Sequence, residues 1–185
     1  MMSHRLALSA CALCVCLATT SEAQVLSNTG SVNLNATLAQ SLTVSVTGGS
    51  TVNFTLVNGG TAAGDVPVAV QTSWNLTPAL VGVVSLYGYF GTPSQALGSA
   101  AGDHIASTSV EGRMTTGVPV TFVPFVQTNP VGPAAGSLLL FTNVITLLNG
   151  VGSRTDNLDL RINLTGQTIP AGAYTGVLTI QARAI

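Results

Sequence analysis

The chain has 185 residues, 46% of them hydrophobic and only 6% charged, with a formal net charge of −1. A typical domain carries about 25% charged residues, and here there is no lysine at all. So few cations exclude the basic patch that nucleic-acid binding needs and the polybasic segment that holds a chain to anionic lipid.

The chain opens with a short basic start, Met1 to Arg5, then an apolar run from Leu6 to Ala18, then Ser21-Glu22-Ala23. This is the order of a secretory signal. Cleavage is expected after Ala23, leaving Gln24 first and 162 residues to fold. Two other readings meet obstacles. A membrane anchor needs about 20 apolar residues, and this run has 13. Leu8-Ser9-Ala10-Cys11 resembles a lipobox, but only three apolar residues separate Arg5 from Ser9. The expected destination is outside the cell or at its surface, with the periplasm in transit if the source is a diderm bacterium. No later stretch is long and apolar enough to span a membrane. Cys11, Cys14 and Cys16 are the only cysteines and all lie in the signal. The chain from Gln24 onward therefore has no disulfide, thiol nucleophile or Cys-ligated metal.

From Val32 the even positions read Val32, Leu34, Ala36, Leu38, Gln40, Leu42, Val44, Val46, and the odd positions are small and mostly polar. Period two with one apolar face predicts strand, and a helix would scatter these residues around its axis. The run is long for one strand, so a bend near Ala39-Gln40 is expected to divide it. Residues 24–39 form an N-terminal strand or extension, and 40–185 the main domain. Gly48-Gly49 ends the run; Val52, Phe54 and Leu56 resume it, and Asn58-Gly59-Gly60 predicts a turn. Val66, Val68, Val70, Thr72, Trp74 and Leu76 share one parity. Val81 to Phe90 predicts another strand, with Tyr87 and Tyr89 on one face. Gly91 to Gly117, rich in Gly, Ser, Ala and Thr, reads as a long surface loop with at most one short strand. Val118 to Val126 alternates again. Leu138 to Leu148 fits a strand buried on both faces or a short helix, which periodicity cannot separate. Leu158, Leu160, Ile162 and Leu164 alternate with Asp159, Arg161 and Asn163, and a last strand carries Leu178 and Ile180. Short strands between Gly, Pro and Asn turns predict an all-β sandwich or barrel of antiparallel strands.

The two ends carry a resemblance. Leu158-Asp159-Leu160-Arg161-Ile162-Asn163-Leu164, followed by Ile169-Pro170-Ala171-Gly172-Ala173-Tyr174 and the strand to Ile180, resembles the carboxyl-terminal hairpin of secreted bacterial pilin-like domains. These are the spore-coat-U-type and chaperone–usher-type fimbrial subunits. The amino-terminal alternating segment is similar to their donor strand. The resemblance implies an immunoglobulin-like sandwich lacking one strand, which the amino-terminal segment of another copy or a related subunit completes by strand addition. Val32, Leu34, Ala36 and Leu38 would be the exchanged side chains, and a periplasmic chaperone a further partner. The same four residues fit equally the first strand of a complete sandwich. The chain departs from the family pattern in having no cysteine after the signal and no aromatic in its last residues, Ala182-Arg183-Ala184-Ile185.

No motif predicts catalysis, and none calls for a cofactor. His104 is the only histidine beyond the signal; a zinc site needs more partners and a Ser-His-Asp triad lacks its Gly-x-Ser-x-Gly elbow. Asp156 and Asp159 read as a turn residue and a solvent-facing strand residue rather than a glycosidase pair. Asn35-Ala36-Thr37, Asn53-Phe54-Thr55, Asn75-Leu76-Thr77 and Asn163-Leu164-Thr165 match the glycosylation pattern, which Thr- and Asn-rich strands generate by chance. Trp74, Tyr87 and Tyr89 are candidates for a sugar-stacking platform, the basis of an alternative reading as a monomeric carbohydrate- or ligand-binding module. The parity of Trp74 favours the core instead.

Overall fold

The period-two segments become strands. The structure, a computed structural model, describes residues 31–78 and 82–185; the expected signal and its cleavage site at Ala23 lie outside them. β1 (Ser41–Gly48) pairs antiparallel with β3 (Val68–Asn75), with Leu42 opposite Trp74, Val44 opposite Thr72 and Val46 opposite Val70. These side chains share the inner face, and Ser41, Thr43, Ser45 and Thr47 stay exposed on the outer one. β1 ends where Gly49 turns at φ +65°, a conformation glycine adopts at little cost.

The longest strand is β10 (Val151–Asn163), which organises the first sheet. Its first half pairs with β3. Its second half pairs with β7 (Val110–Met114), and Arg161–Asn163 also pair with β2 (Thr61–Ala63). β8 (Val123–Pro124) adds to the far side of β7. The facing sheet has the order β12–β4–β9, formed by β12 (Leu178–Ala184), β4 (Val83–Phe90) and β9 (Ser137–Val144). A small third sheet joins β11 (Tyr174–Thr175), β5 (Leu97–Ser99) and β6 (His104–Ile105). All these pairings are antiparallel, and the expected all-β sandwich is what forms.

Between the two large sheets lie the fully buried Phe125, Leu138, Leu140, Leu158 and Ile162. Phe90 and Phe125 meet edge to face, with ring centroids 5.2 Å apart, the arrangement ring quadrupoles favour. Leu138 to Leu148 resolves as strand up to Val144, followed by a turn. The 91–117 segment corrects the expected loop. It holds β5, β6, β7 and two 3-10 turns, Pro93–Gln95 and Ser107–Ser109. Among the described residues no helix is long and apolar enough to cross a membrane.

Candidate functional site

Among the described residues, two strands leave an edge without a ladder partner on the same side of the sandwich: β1 pairs only with β3, and β12 only with β4. β1 and β12 touch each other across this seam without pairing. Beyond Val46 the seam widens into an open groove of about 870 Å³.

The walls of the groove come from segments far apart in sequence. Val52, Phe54 and Leu56 form one wall, each half-buried and alternating with the exposed Thr51, Asn53 and Thr55. This stretch looks like a strand but makes only one bridge among the described residues, Phe54 to Gly64. It is pinned by side chains instead. The Asn53 backbone N–H donates to Asp65 Oδ1 at 2.9 Å, and Asn53 Nδ2 donates to Oδ2 at 2.8 Å. The Asp65 N–H donates back to the Asn53 carbonyl at 3.1 Å. The Asn53 side-chain and backbone hydrogen bonds hold the Asp65 carboxyl below its usual range.

The opposite wall is Ile169 to Ile180. Asn58 ties the walls together: its Nδ2 donates to the Ile169 carbonyl and its Oδ1 accepts from the Ile169 N–H, both at 2.9 Å. The Pro-Ala-Gly turn is closed by Tyr174, whose hydroxyl donates to the Pro170 carbonyl at 2.9 Å. Burial, then the Asp103 carboxylate, raises the Tyr174 phenol above its ordinary value. Val68, Phe90, Val110 and Ile162 form the floor. Such a groove offers apolar side-chain pockets beside unpaired backbone edges. That chemistry receives an extended, alternating peptide.

The four strand-exchange candidates lie before β1. Val32, Leu34 and Leu38 are 82%, 90% and 84% exposed, and Ala36 is also exposed. Residues 31–40 belong to no strand. The expected strand before the bend is therefore not formed within the described chain. Among the described residues, pairing begins at Ser41.

The three aromatic candidates are not brought together. Trp74 is buried on the inner face of the first sheet, where its Nε1 donates to the Asn149 carbonyl at 2.9 Å. Tyr87 and Tyr89 alternate with the inward-facing Leu86 and Phe90, so they lie on the opposite face of the other sheet, where Tyr87 is nonetheless buried and Tyr89 half-buried. The Tyr89 hydroxyl hydrogen-bonds Gln181 at 3.3 Å.

The charges gather in pairs on β7 and β10. Asp156 faces inward and Asp159 outward, as strand alternation requires, so they form no carboxylate pair. Asp159 accepts from Arg113 at 2.8 Å, and Glu111 accepts from Arg161 Nε at 2.7 Å. Both guanidinium groups lie over the Phe122 ring, 4.7 and 4.3 Å from its centroid. His104 is exposed on β6, and no group of three or more potential metal ligands gathers among the described residues.

Sequence reasoning singled out the alternating 32–38 segment but not the groove. The alternation of Val52, Phe54 and Leu56 was the available signal. No protein-family model, curated protein or solved structure matches this chain.

Proposed function

We propose that the protein is a secreted structural or adhesive subunit of a surface fibre or coat, joined copy to copy by β-strand addition. One combination carries the reading: among the described residues, an exposed alternating segment with no strand partner, and an apolar groove flanked by two unpaired strand edges. Strand addition satisfies both needs at once. The edges of β1 and β12 supply backbone hydrogen bonds, and Val32, Leu34, Ala36 and Leu38 fill the groove. An open sheet edge invites unspecific pairing, so a newly exported chain would benefit from a periplasmic chaperone until its neighbour arrives. On this reading the protein performs no catalysis.

The test compares the chain from Gln24 with the same chain lacking residues 24–39, by size-exclusion chromatography and electron microscopy. Fibres from the longer form and monomers from the shorter are expected. A longer form that stays monomeric, and unfolds when shortened, would make the segment an ordinary first strand and defeat the proposal.

A further inference from the structure

The turn joining β9 to β10 is unusual in what it displays. Leu147 and Leu148 are 89% and 98% exposed, and Val144 and Val151 beside them are 63% and 73% exposed. Turns normally place Gly, Asn or Ser at such positions. This turn is nevertheless firmly built. Asn149 Oδ1 accepts from the Thr146 N–H at 2.6 Å and from its hydroxyl at 3.1 Å, and Asn149 Nδ2 donates to the Val144 carbonyl at 2.8 Å. Trp74 and Leu76 clamp the far side through the Asn149 and Gly150 carbonyls. No charged residue occurs between positions 142 and 153. The result is a rigid, uncharged aliphatic knob.

Its place in the fold says what covers it. Ser41, Asn75 and Val151 form one cross-strand row, so the knob stands at the end of the sheet where β1 begins. Val151 is two strands from Ser41, about 10 Å. Leu38 is three residues from Ser41, about 10 Å at full extension. If Leu38 sits in the groove of a second copy, this short tether brings the knob against that copy. The groove carries exposed aliphatics of its own, Val177 in its wall and Val57 next to Leu56 and Asn58.

We infer that the Leu147–Leu148 turn is a second contact between copies, packing on the Val57 and Val177 rim of the groove that receives the segment ending at Leu38. The inference rests on the strand-addition reading. It adds a contact that fixes the angle between neighbours, which a single flexible strand cannot do.

The experiment uses the chain from Gln24, which contains no cysteine. Leu147→Ser with Leu148→Ser is compared with the parent for polymer formation and for the guanidinium midpoint of polymer dissociation. Leu148→Cys chains are mixed with Val177→Cys or Val57→Cys chains and tested for disulfide cross-links. The serine variant is expected to polymerise with a lower dissociation midpoint, and Leu148→Cys to link to the rim in polymers only. The thermal midpoint of the variant lacking 24–39 should match its parent, since both leucines are exposed. An unchanged dissociation midpoint with no cross-link would overturn the inference and leave strand addition standing. A parent chain that never polymerises overturns both. Polymers that survive deletion of 24–39 reject strand addition and, with it, this inference.

Discussion

Arg154 and Asp156 form an ion pair on the inner face of β10, with Nε 2.5 Å from Oδ2. Two residues apart on one strand, they point the same way, into the sandwich. Asp156 is buried, and Arg154 lies over the Phe141 ring with its carbon 4.6 Å from the centroid. Thr116 completes the site: its hydroxyl donates to Asp156 at 2.7 Å, and its carbonyl accepts from Arg154 at 2.7 Å. The Asp156 hydrogen bonds raise the Arg154 pKa above its ordinary value, against the opposing effect of burial.

Removing one partner of a buried pair leaves the other charge uncompensated, at about 3–5 kcal/mol. Arg154→Met, which strands the buried Asp156 carboxylate, should therefore lower stability by about 3 kcal/mol. Arg154→Met with Asp156→Leu should recover much of that loss. Urea unfolding followed by the emission of Trp74, the only tryptophan, measures both. A double variant as unstable as the single one would contradict the account.

Next to this pair in register, between Val44 and Arg154, sits Thr72. Its Oγ1 is buried without a hydrogen-bond partner. A buried polar atom left unpaired costs about 1–3 kcal/mol, and valine has nearly the same shape. Thr72→Val should raise stability by about 1 kcal/mol in the same urea experiment. A loss of stability would mean that the hydroxyl has a partner in solution.

If copies join by strand addition, Leu34→Asp places a charge on the inserted face while changing a side chain that is 90% exposed. Polymer should disappear from size-exclusion profiles, with the unfolding midpoint of the monomer unchanged. Ile180→Asp, in the groove wall, should also abolish polymer. Mixing the two variants should yield dimers at most, because each retains one working half. Long polymers from either variant alone would count against strand addition.

The Asn53–Asp65 clamp sets an acid limit on one groove wall. The folded Asp65 pKa lies below the ordinary value of 3.8. The clamp is therefore fully present above that value and is lost as pH falls through the lower folded pKa. A carboxyl NMR titration should place the Asp65 midpoint below 3.8, and Asn53→Ala should move it up. An unmoved midpoint would show that the Asn53 bonds are not its cause.

Much of the sandwich was legible as period two. Leu158 to Leu164 and the Val68 to Leu76 parity appear as strands with the expected faces inward. β10 begins earlier than its apolar residues suggest, because Arg154 and Asp156 occupy inner positions that read as polar turn. β7 was concealed within a Gly-rich stretch for a related reason. Glu111 is covered through its pairing with Arg161, and Gly112 sits where the two sheets close together. A Cβ on Gly112 would meet Leu158, Leu138 and Phe125 at 3.0 to 3.2 Å. The groove was not legible because its walls come from segments more than a hundred residues apart, and no local pattern encodes their meeting.

The chain from Gln24 carries nine charged side chains, and six of them are consumed in three pairs on β7 and β10. What remains is Asp65, Asp103 and Arg183, a sparse set whose field salt screens within about 8 Å at physiological ionic strength. Encounters between molecules should therefore be governed by shape and exposed hydrocarbon, with association nearly indifferent to added sodium chloride and weakened by cooling.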